Sequence, residues 1–172
     1  RPAFVTPMAA VAGAVADALL TELAGDGVTR AYVNNGGDIA LHLAPGESLT
    51  CALAGRPGMP DRATIRAEDR VRGIATSGRG GRSLSFGIAD AVTVLAGTAA
   101  MADAAATMIA NAVDLPGHPA IHRRPASGSM LPSGRTGRPC ALRALMRPLD
   151  SPTSRANAAS LNPRLPTMAP KN

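Results

Sequence analysis

Apolar residues recur along the first 125 positions in two rhythms, and each rhythm predicts an element. Over residues 6–24 (TPMAAVAGAVADALLTELA) they fall at Val11, Val15, Leu19 and Leu23, the spacing of one helical face, with Thr6 as N-cap and Pro7 at the first helical position. Gly25 and Gly27 end that helix. Residues 31–33 (AYV) then predict a short strand, and residues 39–43 predict a second in which Ile39, Leu41 and Leu43 alternate with Ala40 and His42. Between them Asn34-Asn35-Gly36-Gly37-Asp38 reads as the turn of a hairpin.

Weaker strands are expected at 49–54 and roughly 64–75, around a Pro/Gly loop at 55–60, and TSGRGGRS (76–83) is read as a loop. AVTVLA (91–96) is continuously apolar, the pattern of a strand buried on both faces. Residues 98–113 predict a second helix, N-capped by Thr98, with an Ala-rich face suited to close packing, and stopped by Asp114, Pro116 and Gly117. From Ala126 neither rhythm persists: seven Pro and six Ser occur in 47 residues, with at most one helical turn at 140–146. Disorder is the expectation for 126–172.

Composition narrows the picture in three ways. A chain of 172 residues suits one core. Its aromatic residues are Phe4, Tyr32 and Phe86, so a nucleic-acid reader that stacks bases on rings is disfavoured. The net charge of +6 lies wholly in the tail, because residues 1–125 hold eleven basic and eleven acidic groups while 126–172 hold seven and one. The domain itself is therefore neutral, and the tail charge says little about its partners. Cys51 and Cys140 form no CxxC and have no His at ligand spacing, so a metal thiolate is not expected. No apolar run reaches the roughly 18–20 residues of a membrane span. A cytoplasmic location is the expectation, although the chain opens with RPAF and a missing N-terminal portion, with any signal, is expected too.

Three constellations carry candidate chemistry. In Asn34-Asn35-Gly36-Gly37-Asp38 the glycines permit positive φ and close approach of a ligand, and Asp38 can accept from a hydroxyl; an ordinary hairpin turn has the same composition. Thr76-Ser77-Gly78-Arg79-Gly80-Gly81-Arg82 suits an anion nest for phosphate, and equally a solvated loop. Asp103 and Thr107, at i and i+4, put a carboxylate and a hydroxyl on one side of a helix, two oxygen ligands for a hard cation such as Mg²⁺. The same pair is explained by a helix-dipole interaction and by Thr bonding back to its own helix, and Asp17 on the first helix carries the same ambiguity. His42, His118 and His122 share no ligand spacing and are expected at the surface.

The order of these elements adds a further reading. AAVAGAVAD (9–17), YVNNGGDIAL (32–41), GIATSG (73–78) and VTVLAGTAAMADAAATMIANAV (92–113) together resemble the ApbE superfamily, whose characterised members are FAD:protein FMN transferases once described as thiamine biosynthesis lipoproteins. The likeness is strongest to a largely uncharacterised ApbE-related branch, and it covers about 120 residues. It implies an α+β, T-fold-like architecture, present here as one incomplete flavin-handling domain over 1–125 with a disordered basic tail over 126–172. It implies FAD as substrate or ligand, Mg²⁺-dependent cleavage of its pyrophosphate, and passage of FMN to a Thr or Ser of an acceptor protein. The implied metal set is Asp103, Thr107 and the carbonyl near Ala9; the implied flavin contacts are Asn35, Gly36, Gly37 and Asp38 and the loop Thr76, Ser77 and Gly78. No residue is assigned as catalytic.

Departures from the transferase pattern also count. The transferases usually carry Asp at the position of Thr6, Lys or Glu at that of Ala12, and His-x-x-Asp-Pro-x-Thr-Gly after the TSG loop, where this chain reads SLSFGIADAV (83–92). A flavin- or nucleotide-binding protein without transferase activity is accordingly the alternative. The loss of acidic residues after Pro125, with Arg, Pro, Ser and Ala persisting, further predicts that 126–172 is GC-rich DNA read in a shifted frame or an equivalent artefact, the alternative being a genuine basic tail.

Overall fold

A computed structural model describes residues 5–53, 61–81 and 85–122, and the backbone of 142–148. The chain begins with a 3-10 turn (Pro7–Ala10) that leads into α1 (Val11–Leu23), followed by β1 (Val28–Asn35), β2 (Asp38–Leu43), β3 (Ser48–Ala52), β4 (Arg62–Arg66), β5 (Gly73–Ser77), β6 (Val92–Ala96), α2 (Ala99–Ala112) and β7 (Leu142–Pro148). Five strands form one antiparallel sheet in the order β6-β5-β2-β1-β7, and β3 and β4 form a separate antiparallel pair. The described residues thus make a mixed α+β domain with two sheets and two helices. None of their helices is long and apolar enough to cross a membrane.

The two faces of the main sheet are covered differently. On one face lie the helices, packed through small residues: Ala16 and Ala99 meet Val33 and Ala40, while Ala102 and Ala106 meet Ala75. On the other face Leu41, Leu43 and Ile74 pack with Ile65 of the β3–β4 pair, joined by Tyr32, Ile39, Leu49 and Cys51. The alternation in β2 follows directly, because Ile39, Leu41 and Leu43 point toward the hairpin pair and Ala40 toward the helices. Ala on the helix side lets backbone approach backbone. Gly13 shows how closely: a Cβ there would lie 2.5 Å from the Ala99 carbonyl carbon and 2.7 Å from the Ala100 nitrogen.

Several expectations need correction. Thr6 stands at the N-cap of the 3-10 turn but its side chain makes no cap bond; its carbonyl accepts from Ala9 N instead. The stripe Val11, Val15 and Leu19 is not the buried face of α1: these residues are 44 %, 44 % and 36 % exposed, whereas Gly13 and Ala16 are buried and Leu20 and Leu23 pack on the core. Small residues face inward where the helix is pressed against α2 and the sheet, and Leu20 and Leu23 follow toward its carboxyl end. β6 is not buried on both faces; in the sheet it pairs with β5 alone, and Leu95 is exposed. The expected strand at 64–75 is two strands in two sheets, divided by a turn in which the Arg72 guanidinium donates to the carbonyls of Ala67, Asp69 and Val71. Where a helical turn was expected at 140–146 and disorder around it, residues 142–148 form a strand antiparallel to β1, whose outer backbone edge offers a template for pairing. The loop at 55–60, Arg82, Cys140 and the rest of the tail lie outside the described residues.

Candidate functional site

The amino ends of the two helices are joined by an exchange of carboxylates. Asp17, on α1, accepts from Ala99 N and Ala100 N at 2.9 Å each, and these are the first two amides of α2. The third, Met101 N, donates to Thr98 Oγ1 at 3.1 Å, so the predicted N-cap is realised, and Ala102 N reaches the Thr98 carbonyl. In return Asp103, on α2, accepts from Gly13 N at 3.0 Å and from Ala12 N in the first turn of α1. Burial pushes the Asp103 carboxyl above the ordinary carboxylate range, an effect the Gly13 and Ala12 amides partly offset. Asp17 therefore has a structural role in full, and Asp103 is a half-buried charge with one oxygen engaged by the Gly13 amide. Asp17→Ala is expected to cost about 1–3 kcal/mol, because it strands two half-buried helix amides; urea unfolding should show this, with Thr21→Ala, whose hydroxyl only donates back to the Asp17 carbonyl, changing little.

The hairpin tip is tied to the same region. Asn35 pairs with Asp38, leaving Gly36 and Gly37 as a two-residue loop with φ of 73° and 120°. Both angles lie in the left-handed region, so the glycines are required for the turn. Asn34 Oδ1 accepts from Gly37 N at 2.8 Å, and Asn35 Nδ2 donates to the Ala12 carbonyl at 3.1 Å. A Cβ on Gly37 would meet nothing within 4 Å, so the space beside the turn is open.

The TSG segment is more ordered than a solvated loop. Thr76 and Ser77 belong to β5, and the Thr76 hydroxyl bonds that of Thr93 across to β6 at 2.8 Å. Gly78 is buried with φ of 138°, and a Cβ there would lie 2.6 Å from the Asp90 carbonyl oxygen. The amides of Arg79, Gly80 and Gly81 donate to the carbonyls of Ala89, Asp90 and Gly78. These three amides are satisfied within the chain, which removes them from the expected anion nest, and the Arg79 guanidinium pairs with the Asp90 carboxylate.

Register points the Gly36-Gly37 turn and the TSG segment toward one end of the sheet. Ile39 pairs with Ile74 and Ala40 with Gly73, so the start of β2 lies beside the start of β5, and the antiparallel direction runs Thr76-Ser77-Gly78 toward the same end of the sheet as the Gly36-Gly37 turn. Asn35 links that end to the first turn of α1, and Gly13 links α1 to Asp103. The 3-10 turn containing Ala9 packs against α2, and Thr107 is half-buried one helical turn beyond Asp103. The donor set that the resemblance implies is all oxygen, with one carboxylate; among the described residues no group of three His, Cys, Asp or Glu assembles. That chemistry fits Mg²⁺, which takes few protein ligands and fills its shell with water and phosphate, and does not fit zinc. Cys51 packs in the hairpin-pair core, where burial pushes its thiol up.

Three features escaped the reading of the sequence. Asn111 Oδ1 accepts from Ser85 Oγ and Phe86 N and so anchors a segment that no periodicity marks. The exchange between Asp17 and Asp103 spans helices separated by six strands in sequence, and only the acidic residues themselves hinted at it. His42 is half-buried, its Nε2 bonded to the Val28 carbonyl at 3.1 Å, and is not the surface residue expected.

Comparison with known proteins places the chain among relatives of unestablished activity. It is 41 % identical over 128 residues to a UPF0280 protein of Methanothermobacter thermautotrophicus, covering 67 % of this chain and 46 % of that one. It is 38 % identical over 119 residues to a UPF0280 protein of Methanococcoides burtonii, covering 68 % and 49 %. A UPF0280 protein of Archaeoglobus fulgidus is 37 % identical over 111 residues, covering 63 % and 45 %. The chain thus spans about half the length of these curated relatives. No solved structure matches it. A family model described as AbpE bacteria matches residues 1–140, running past the boundary that composition puts at Pro125. With its ordered GGD, TSG and D-x-x-x-T segments and a match over most of its length, the chain belongs to this ApbE-related family.

Proposed function

We propose that the chain is an FAD-handling module of the FMN-transferase type, in which FAD is cleaved at its pyrophosphate and FMN passes to a Thr or Ser hydroxyl of an acceptor protein while AMP leaves. What supports this reading most is the arrangement at one end of the sheet: Asn35 beside the Gly36-Gly37 turn is bonded to the amino end of α1, β5 runs toward the same end, and a half-buried carboxylate sits beside that amino end. Asp103 and Thr107, with the carbonyl near Ala9, would hold Mg²⁺. When bound, that ion neutralises charge on the pyrophosphate and on the departing AMP. The chain's own part is to orient: Asn35 fixes the turn against α1, positive-φ glycines keep the turn open to a ligand, and the Gly13 amide holds one Asp103 oxygen in place.

A flavin-binding role without transfer is favoured by one observation. The segment that carries His and Asp in the transferases here offers Asp90, and its carboxylate is paired with Arg79. Incubation with FAD and Mg²⁺ distinguishes the two. Mg²⁺-dependent AMP release is the expected result for the first reading, saturable FAD binding without AMP is the result for the second, and neither binding nor AMP overturns both.

A further inference from the structure

The helix layer has an outer face that nothing among the described residues covers. α1 and α2 lie side by side on one face of the main sheet, with Ala16, Ala102 and Ala106 in its core. Their opposite sides carry Val11, Val15 and Leu19 on α1 and Met101, Met108 and Ile109 on α2, the last three 60 %, 42 % and 46 % exposed. Charge is missing from this face. Between residues 5 and 21 the one charged residue is Asp17, and α2 has Asp103 alone. Both carboxylates are turned onto the amides of the neighbouring helix. Glu22, at the far end of α1, is the first exposed charge.

The other side of the molecule is built for water. There the β3–β4 pair exposes Ser48, Thr50, Arg62, Thr64 and Arg66, the polar-out alternation of a solvated sheet. A surface helix has a polar outer face in the same way, and a helix that is apolar all round is a buried one. α1 and α2 are apolar toward the sheet and away from it, the composition of a layer enclosed on both sides. Area and shape point to the occupant. α1 has 13 residues and α2 has 14, so each is about 20 Å long, and two cylinders about 10 Å wide give a footprint of roughly 400 Å². Contiguous apolar patches beyond a few hundred Å² mark interaction sites. Two such footprints face to face remove roughly 800 Å² before the relief of the side chains is counted, and that relief carries the total past the ~1,000 Å² at which specific interfaces begin. The face also complements itself. Val11, Val15 and Leu19 form a ridge at i, i+4 spacing, and the exposed Ala14 and Ala18 form a shallow row beside it in which a second copy's ridge can seat. An uncharged face meets its own image without like-charge repulsion.

We infer that this face is a two-fold interface between two copies of the chain, with four helices as the inner layer and the main sheets outside. An isologous contact of this kind closes on itself and stops at a dimer. No residue assigned to Mg²⁺ or FAD takes part. Sedimentation velocity of the full chain at micromolar concentration should give twice the mass of one chain, and the urea midpoint should rise with protein concentration. Val15→Glu sets an unpaired charge in the apolar contact from each copy and should weaken the dimer by about 100-fold or more, leaving a monomer with the parent's circular dichroism. Met108→Glu, on the other helix, should do the same, and it decides the outcome if Val15→Glu does not fold. Thr64→Glu, on the far side, should stay dimeric. A monomeric parent overturns the inference. So do folded glutamate variants of the helix face that dimerise as the parent does, and so does dissociation by Thr64→Glu, which puts the interface elsewhere.

Discussion

Gly73→Ala is expected to abolish or nearly abolish folding, with a loss of roughly 4 kcal/mol or more out of a total stability of about 5–15 kcal/mol. Gly73 opens β5, opposite Ala96 of β6 and Ala40 of β2, where the sheet meets the start of α2. A Cβ at this position would overlap the Thr98 carbonyl and the Ala99 nitrogen, well inside the 3.0 Å that real Cβ atoms observe. Those atoms are backbone and cannot rotate aside. They also belong to the N-cap of α2, whose first two amides are held by Asp17. Making room means lifting α2 off the sheet, which opens the Ala75, Ala102 and Ala106 contacts and pulls the Asp17 bonds apart. Ordinary overpacking costs about 1–3 kcal/mol because side chains give way; here none is available to give. Gly25→Ala is the control, with nothing within 4 Å of its Cβ and no positive φ to strain. A urea midpoint for Gly73→Ala equal to that of Gly25→Ala would refute the argument.

Asp103→Asn is expected to do the reverse: keep or raise stability while lowering Mg²⁺-dependent FAD binding by about 10–100-fold or more. Burial raises the carboxyl's pKa in the folded chain, so the fold favours its protonated form. The sign follows from linkage. Above the folded-state pKa the unfolded and folded chains both carry the charge, and the folded one bears its desolvation; below the ordinary carboxylate pKa of about 3.9 both are neutral and that cost is gone. Ionised Asp103 therefore subtracts from stability near neutral pH. An amide keeps an oxygen for Gly13 N without the charge. For the same reason Mg²⁺ affinity should decline on acidification, starting above the usual carboxylate range, because the metal needs the ionised form. Calorimetry with Mg²⁺ and FAD, beside urea unfolding of the same variant, measures both. If the variant loses stability yet binds Mg²⁺ and FAD as the parent does, Asp103 is a helix cap and nothing more.

Much of the local structure was legible in the residues. Asn34 to Asp38 announced a tight hairpin, since two glycines in sequence meet the positive φ that the turn demands. Thr98 announced the cap of α2, and the alternation of Ile39, Leu41 and Leu43 announced which face of β2 carries the larger core. The candidate site was read as four separate segments, named by their order along the chain. How they meet was not. Which side of α1 is buried did not follow from the apolar spacing, because spacing reports polarity and the choice was made by size: with α2 and the sheet both within backbone contact, Gly13 and Ala16 fit and Val11 and Val15 do not. Asp17 and Asp103 read alike as acidic residues on helices. Their exchange of amides depends on an antiparallel placement that brings residue 17 to residue 99 and residue 13 to residue 103. Phe86 sits in a segment with no periodicity, and it was fixed by Asn111 from 25 residues away. Turns, caps and alternation answer to interactions a few residues long, which the sequence by itself determined; burial at close quarters, a carboxylate's partner and an anchored segment answer to atoms brought near by the fold, and only the tertiary structure decided them.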